Sequence, residues 1–337
     1  MDLETFLTTL YVIIDDWYKE EIAGHKPKRG CKGKMSDSEV LTLMVAGQWR
    51  IGVPWRSERS LVRIIQREYR HLFPDMISRS SFNERGRYLF GTLIKLHHNV
   101  AARMINQDDL YEAVDCMPIP AYSMGQGAYG KSHWLWQATK GRGAGQWFIG
   151  DHLLAAVTRH GVITGWLLGA ADINDRWLLE AFLSARAGHV QLKGPLPNPH
   201  TSKKDRARPP VGQIGPFPAV GSYSIRDYLA DKGFNSQRWS QHWVNAYHAV
   251  VHTVPAHNAP EAAAWSRDDK KWLASHRQVV ETAFAFLQEV FGCKRIGAHS
   301  LWGQYTRLAA KIAAYNLGCF INRSLARPWG ALGTLIG

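Results

Sequence analysis

The amino-acid sequence predicts an α/β protein in which a mixed sheet flanked by helices follows an all-helical N-terminal region. Three observations support this prediction. Apolar residues recur at helical spacing over residues 1–105, short apolar runs with polar boundaries begin near residue 110, and strands alternate with helices towards the C-terminus. Three consecutive strands followed by alternating units are typical of a mixed sheet covered by helices. With 337 residues, of which 45% are hydrophobic, the chain can form one large domain or two ordinary domains.

The N-terminal region, residues 1–105, carries several helix signals. Residues 3–20 have a continuous apolar stripe, which predicts the first helix. Ser36-Asp-Ser-Glu39 has capping-box spacing before an apolar run, and Ser81-Phe-Asn-Glu84 repeats that spacing. Between these two signals, the apolar residues of 61–72 predict a short helix.

A second domain is predicted over residues 106–330. Leu110–Asp115 is expected to form a strand that stops at Pro118 and Pro120, and Arg159-His-Gly161 between two apolar runs predicts a hairpin. Residues 193–221 contain seven prolines among basic residues, which predicts an irregular Pro/Gly-rich basic insertion. The other predicted elements are strands over 147–158, 162–168, 228–231 and 249–254, and helices over 174–187, 272–292 and 305–325.

The charge of the chain points to a polyanionic partner. Lys and Arg number 41 and Asp and Glu number 28, which gives a formal charge of +13 and an isoelectric point near 9.6. Nucleic acid is the first partner expected, ahead of an anionic membrane surface. The four cysteines are far apart, which argues against a zinc knuckle or a disulfide scaffold. The acidic start and the lack of a run of ~18–20 apolar residues predict a cytoplasmic protein without a membrane segment.

Three acidic residues occupy positions suited to chemistry. Asp115 and Asp231 each end a predicted strand, and strand ends feed a shared crevice in an open α/β sheet. Glu281 lies at the edge of the apolar stripe of a predicted helix. Three carboxylates suit Mg²⁺ or Mn²⁺, and a basic protein favours a phosphodiester substrate. Spacing alone leaves other carboxylates open as alternatives: Glu112, Asp151, Asp172, Asp175 and Asp227.

Over roughly residues 36–323 the chain resembles the DDE transposases of bacterial insertion sequences. The resemblance is carried by three segments: Ala113-Val-Asp115-Cys-Met-Pro-Ile-Pro, Leu229-Ala-Asp231-Lys-Gly-Phe234 and Arg277-Gln-Val-Val-Glu281-Thr-Ala-Phe284. The second and third segments are the most specific. Ala274 stands where relatives often carry a tyrosine, and Gln288 stands where they often carry a lysine.

The resemblance implies a ribonuclease-H-like catalytic domain over residues 106–330, in which Asp115, Asp231 and Glu281 bind two Mg²⁺ (or Mn²⁺) ions. It also implies cleavage at insertion-sequence ends and strand transfer into target DNA. The implied partners are double-stranded DNA, as terminal inverted repeats and target, and a second copy of the chain in a homodimer on DNA. Arg277 matches the family's helix arginine, which contacts phosphate or orients the carboxylate.

Several basic side chains are candidates for contact with DNA. In a helix-turn-helix, residues near the start of one helix reach base edges, and the helix from Ser81 is the candidate reader through Arg79, Asn83, Arg85 and Arg87. A packing subdomain with solvated arginines is the alternative. The loop with Lys26, Lys28 and Arg29 is expected to touch phosphate, with a solvated linker as its alternative. Lys232, directly after Asp231, is a further candidate.

Two other functions remain open at this point. One is a catalytically inactive DNA-binding protein derived from a transposase. The other is a ribonuclease-H-like nuclease that acts without strand transfer.

Overall fold

A computed structural model describes residues 1–23, 34–106, 108–122, 138–143, 145–188, 227–255, 265–298 and 300–337. The predicted insertion at 193–221 lies outside these ranges, as do Lys26, Lys28 and Arg29 of the basic loop. The chain divides into two compact units. The first unit comprises Met1–Val100 and Phe286–Gly337, and the second comprises Ala101–Ala285.

The elements follow the predicted order of an N-terminal helical region and a mixed sheet with helices. The described helices are α1 (Leu3–Tyr18), α2 (Asp37–Ala46), α3 (Glu58–Glu68), α4 (Arg79–Tyr88), α5 (Phe90–Met104), α6 (Asp175–Arg186), α7 (Gln237–Tyr247), α8 (Arg267–Glu289) and α9 (Leu301–Ser324). The described strands are β1 (Tyr111–Tyr122), β2 (Thr139–Gly143), β3 (Gln146–Thr158), β4 (Ile163–Ala170), β5 (Asp227–Ala230) and β6 (Val250–His252). Among these helices, none combines the length and the apolar composition that a membrane crossing requires.

One of the two predicted capping boxes is confirmed. The Ser36 hydroxyl accepts from the N–H of Glu39 at 3.1 Å, and the Glu39 carboxylate accepts from the N–H of Ser36 at 2.6 Å. The box predicted at Ser81 is wrong, because α4 begins three residues earlier. Ser78 has extended backbone, and its hydroxyl accepts from the N–H of Ser81 at 3.2 Å, so Ser78 is the residue that caps the helix.

Helix α9 lies at the centre of the first unit. Almost all its residues from Leu301 to Asn322 are buried, and it packs against α2 and α4. The sequence placed this helix with the sheet, in a domain over 106–330, because it follows the strands in chain order. The packing groups it with the N-terminal helices instead. A helix that is buried on nearly every side has no distinct apolar stripe to indicate which neighbours it will have.

The sheet is mixed, and β1 is the strand at which its pairing changes. Strand β1 pairs with β3 antiparallel on one side and with β5 parallel on the other, and β6 continues parallel to β5. Strand β3 also pairs antiparallel with β4 and with the short β2. The hairpin of β3 and β4 turns at the predicted Arg159-His-Gly161, where Gly161 has a φ of 78°. That prediction is confirmed.

Strand β1 continues through Pro118 and Pro120, where the sequence was expected to end it. Both prolines pair with β3. The N–H of Cys116 donates to the Asp115 side chain and therefore does not point towards β3. Because N–H groups alternate in direction along a strand, the backbone nitrogens of Pro118 and Pro120 also point away from β3. Strand β5 ends at Ala230, before it reaches the prolines. No described strand therefore needs an N–H from either proline, which is the setting in which a sheet tolerates proline.

The side chains of β1 alternate between two helix-covered faces of the sheet. On one face Tyr111 contacts Trp272 of α8, with ring centroids 5.8 Å apart. On the other face Val114 lies in a buried cluster with residues of α6 and α7, among them Trp243. Odd-numbered and even-numbered residues of β1 therefore have different helical partners.

A buried ion pair joins β1 to α6. Glu112 is fully buried, and Arg186 donates to both of its carboxylate oxygens. The Thr164 hydroxyl also donates to Glu112, and Arg186 donates to the Tyr228 hydroxyl at 3.1 Å. The network therefore links β1, β4, β5 and α6 and leaves neither charge unpaired.

We expect Arg186→Met to lower the free energy of unfolding by about 3–5 kcal/mol, because it leaves the Glu112 carboxylate buried without a counter-charge. Urea denaturation at neutral pH measures the change. The double variant Glu112→Gln/Arg186→Met removes both charges and should recover most of the loss. An equal loss in the single and double variants would contradict this account.

Candidate active site

The sheet register brings Asp115 and Asp231 to adjacent positions. Strands β1 and β5 are parallel, and their last paired residues are Val114 and Ala230. Asp115 and Asp231 are the next residues along each chain. Asp231 also precedes a single 3-10 turn, Lys232–Phe234. The two predicted acids therefore lie at the same end of neighbouring strands, which are about 4.8 Å apart in a sheet.

Helix α8 adds Arg277 and Glu281, which lie one turn apart. The Arg277 Nη2 atom is 3.0 Å from Glu281 Oε1 and 3.8 Å from Asp231 Oδ1. Its Nη1 atom is 3.6 Å from Asp115 Oδ2. The structure thus brings together the four residues that the resemblance implies, with one guanidinium at the centre of three carboxylates. We refer to these four residues as the acidic cluster.

The acidic cluster has an excess of negative charge. Three carboxylates and one guanidinium give −3 + 1 = −2 when all are ionised. The Asp115 side chain is 23% exposed, whereas those of Asp231 and Glu281 are 48% and 50% exposed. Burial raises the pKa of Asp115 to about 6, although a hydrogen bond from the Cys116 N–H and the Arg277 charge oppose the rise. The cluster is therefore suited to attract cations.

Asp175, the first residue of α6, is a fourth acid near this end of the sheet. Its charge contributes to the raised pKa of Asp115. Burial is the main cause of the raised pKa of the Cys116 thiol, and the Asp175 charge adds to it. A Cβ on Gly233 would lie 3.5 Å from Asp175 Oδ2, so this acid also borders the turn after Asp231. In the sequence analysis, the spacing of the acids had left Asp175 as an alternative catalytic carboxylate.

The predicted DNA contacts outside the acidic cluster have different surroundings. Arg85 pairs with the buried Asp37 at 2.6 Å, and the Asn83 amide donates to Glu58 at 2.9 Å, so both have partners within the first unit. Arg79 and Arg87 line a cavity of that unit. Lys232 is exposed beside Asp231.

A second group of acids was not found from the sequence. Among the described residues, Asp108, Asp109 and His160 form the one acid and histidine group whose ligand atoms all lie within 4.8 Å of one another. Arg159 pairs with Asp108, and its Nε atom is 3.8 Å from Asp109 Oδ1. One guanidinium offsets one of the two carboxylate charges, and the contacts tie the β3–β4 turn to the start of β1. The feature of the sequence that could have indicated this group is the Arg159-His160 pair in the predicted hairpin turn.

No family model, curated protein or solved structure matches the chain. Function is therefore inferred from the geometry of the acidic cluster together with the resemblance in sequence.

We expect Asp115→Asn to increase the free energy of unfolding at pH 8 in the absence of divalent cations. The folded protein holds the Asp115 proton more tightly than the unfolded chain, so this carboxyl lowers stability as pH rises from about 4 to about 6. The gain should be about 1–3 kcal/mol at pH 8 and should vanish near pH 4.

Urea denaturation in EDTA at the two pH values measures this difference. Asp268→Asn is the matched control, because Asp268 lies on α8 with its side chain 93% exposed. That control should change stability at neither pH. A wild-type protein as stable as Asp115→Asn at pH 8 would contradict the raised pKa of Asp115.

Proposed function

We propose that this protein is a metal-dependent DDE transposase, which cleaves DNA at the ends of an insertion sequence and joins those ends to target DNA. The observation that carries the proposal is the acidic cluster. Asp115, Asp231 and Glu281 come from three distant segments of the chain, and each has an oxygen within 3.8 Å of the Arg277 guanidinium. An accidental group of surface acids has no reason to coincide with the residues that the resemblance selects.

The strand arrangement supports a ribonuclease-H-like assignment for the second unit. Strands β1, β3 and β4 are successive antiparallel neighbours, and β5 and β6 add in parallel on the other side of β1. Ligands in α/β sheets commonly bind beyond the carboxyl ends of strands where the topology changes. Asp115 and Asp231 lie at the boundary between antiparallel and parallel pairing.

The donor types of the acidic cluster suit Mg²⁺ or Mn²⁺, although the ligand atoms of its three acids do not all lie within 4.8 Å of one another. All three acids offer hard oxygen ligands, and the cluster has a net charge of −2 that divalent cations would offset. We propose that Asp115, Asp231 and Glu281 hold two ions, whose chemistry is to activate the attacking oxygen and to stabilise the leaving oxygen.

The remaining groups of the site position these acids and the DNA. The Cys116 N–H donates to Asp115 Oδ1 at 2.8 Å and fixes the orientation of the most buried carboxylate. Arg277 holds the three acids together and is the cation best placed to meet a scissile phosphate, for which its planar fork is suited. The exposed Lys232 adds a phosphate contact beside Asp231.

The proposed reaction needs no energy source beyond the DNA itself. Water first attacks a phosphodiester at the element end, which breaks one P–O bond and frees a 3′-hydroxyl. That hydroxyl then attacks a phosphodiester of the target, so one P–O bond forms as another breaks. Because two ends are joined to one target, we propose that a homodimer holds a pair of terminal inverted repeats.

We expect Asp115→Asn, Asp231→Asn and Glu281→Gln each to reduce strand cleavage by about 10³-fold or more, which corresponds to about 4 kcal/mol of transition-state stabilisation. Each variant should still bind DNA. The substrate is a plasmid that carries the reading frame with its native flanks, and gel analysis with Mg²⁺ or Mn²⁺ resolves cut and joined products.

Asp268→Asn, also on α8 but remote from Arg277, should cut as the wild type does. Full cleavage by a cluster variant would remove that residue from the mechanism. Cleavage without joined products would identify a nuclease instead of a transposase. No cleavage with either metal would favour a DNA-binding protein without catalysis.

A further inference from the structure

The first unit contains a strongly basic cavity with a volume of about 600 Å³. Three segments line it: residues 43–61, residues 79–87 at the start and middle of α4, and residues 292–310. We call it the cationic cavity. Eight of its lining residues are Arg or Lys, and the one carboxylate is that of Glu58, so the formal balance is 8 − 1 = +7.

The cationic side chains of the cavity fall into two sets. Arg50 and Arg56 donate to backbone carbonyls, and Arg307 pairs with Glu58 at 3.4 Å, so these three are held in the wall. The other five have no hydrogen bond or ion pair within the described part of the chain. They are Arg59, Arg79, Arg87, Lys294 and Arg295.

The held cations repel one another in the free protein. Burial lowers the pKa of Arg50, and the charges of Arg307 and Arg56 lower it further. Behind them Lys311 is fully buried, and its ammonium donates to the Phe291 carbonyl. Burial also lowers the pKa of Lys311 to about 8. Glu58, the one acid in the lining, already accepts from Asn83 and Arg307. Among the described lining residues, no carboxylate other than that of Glu58 offsets the positive charge.

Two helix starts add to the positive potential. The first turn of α3 lines the cavity through Glu58 and Arg59, and the first turn of α9 lines it through Gly303. The N-terminus of an α-helix carries partial positive charge and favours phosphate groups. Arg79, the first residue of α4, adds its full charge at a third helix start.

The number and position of these charges indicate the class of ligand. A free phosphate carries at most about two charges at neutral pH, which would leave most of a balance of +7 without compensation. A row of phosphodiesters supplies one negative charge for each nucleotide and matches cations that come from three separate segments.

We propose that the cationic cavity binds the sugar–phosphate backbone of DNA, at a site separate from the acidic cluster. The choice of DNA over another polyphosphate rests on the proposed function. The cavity also changes the role expected of α4. Because Asn83 and Arg85 are bound to the protein, α4 offers DNA the free charges of Arg79 and Arg87, and these contribute affinity without reading sequence.

The test measures DNA binding without cleavage. The full chain carries Asp115→Asn, the buffer contains EDTA, and fluorescence anisotropy gives the Kd of two unrelated duplexes of equal length over a range of salt. Adding Arg79→Gln/Arg87→Gln should raise the Kd by about 10–100-fold at about 0.1 M salt and should lower the salt slope by about 2. Both duplexes should lose affinity equally.

Arg63→Gln/Arg67→Gln is the matched control. It removes the same charge from exposed positions of α3 that do not line the cavity, and it should leave Kd and slope nearly unchanged. Lys294→Gln/Arg295→Gln tests another wall of the cavity and should reproduce the loss. Circular dichroism should show that each variant folds. Equal effects of the cavity and control pairs would overturn the proposal.

Competition identifies the source of the phosphate. Unlabelled DNA should displace the labelled duplex, whereas tripolyphosphate at the same phosphate concentration should not. Displacement by tripolyphosphate at that concentration would assign the cavity to a small polyphosphate and overturn the DNA proposal. The result is independent of cleavage, because a protein that never cuts DNA can still show cavity-dependent binding, and a cutting protein can fail this test.

Discussion

One guanidinium offsets the repulsion of three carboxylates, and this balance gives the second unit its candidate active site. Arg277 can do so only because the backbone has already placed the acids. The parallel register of β1 and β5 sets Asp115 beside Asp231, and α8 lies along β1 with Trp272 near Tyr111. A slip of one residue in that register would turn one acid to the opposite face of the sheet. The chemistry therefore depends on strand pairing before it depends on any side chain.

The acidic cluster and the cationic cavity have opposite charge imbalances. The acidic cluster holds three negative charges against one positive charge, and the cationic cavity holds eight positive charges against one negative charge. Like charges at close range destabilise the folded state unless a ligand offsets them. A protein selected for stability alone would spread these charges over its surface. Their concentration at two places supports the two binding sites proposed above, one for divalent cations and one for DNA.

Local signals in the sequence predicted local structure well. The capping box at Ser36 and the hairpin turn at Arg159-His-Gly161 are confirmed, because each depends on residues within a few positions of one another. The end of β1 at Pro118 was predicted wrongly, since the missing N–H matters only where a neighbouring strand needs it. The cationic cavity could not be predicted, because the wall formed by residues 292–310 lies more than 200 residues after the other two walls. The acidic cluster was found through resemblance, and spacing alone left five other acids open.

Strand β1 shows why spacing could not choose among those acids. Glu112 and Asp115 are three residues apart, so the alternation of a strand sends them to opposite faces. Glu112 is fully buried against Arg186 and Thr164, with both carboxylate oxygens bonded, and no ligand can reach it. Asp115 shares one arginine with two other acids, keeps 23% of its side chain exposed, and has a raised pKa. The charge of Glu112 is compensated within the fold, whereas Asp115 shares one arginine with two other acids. That difference marks Asp115 as the acid available to a cation, and it depends on tertiary partners that sequence spacing does not encode.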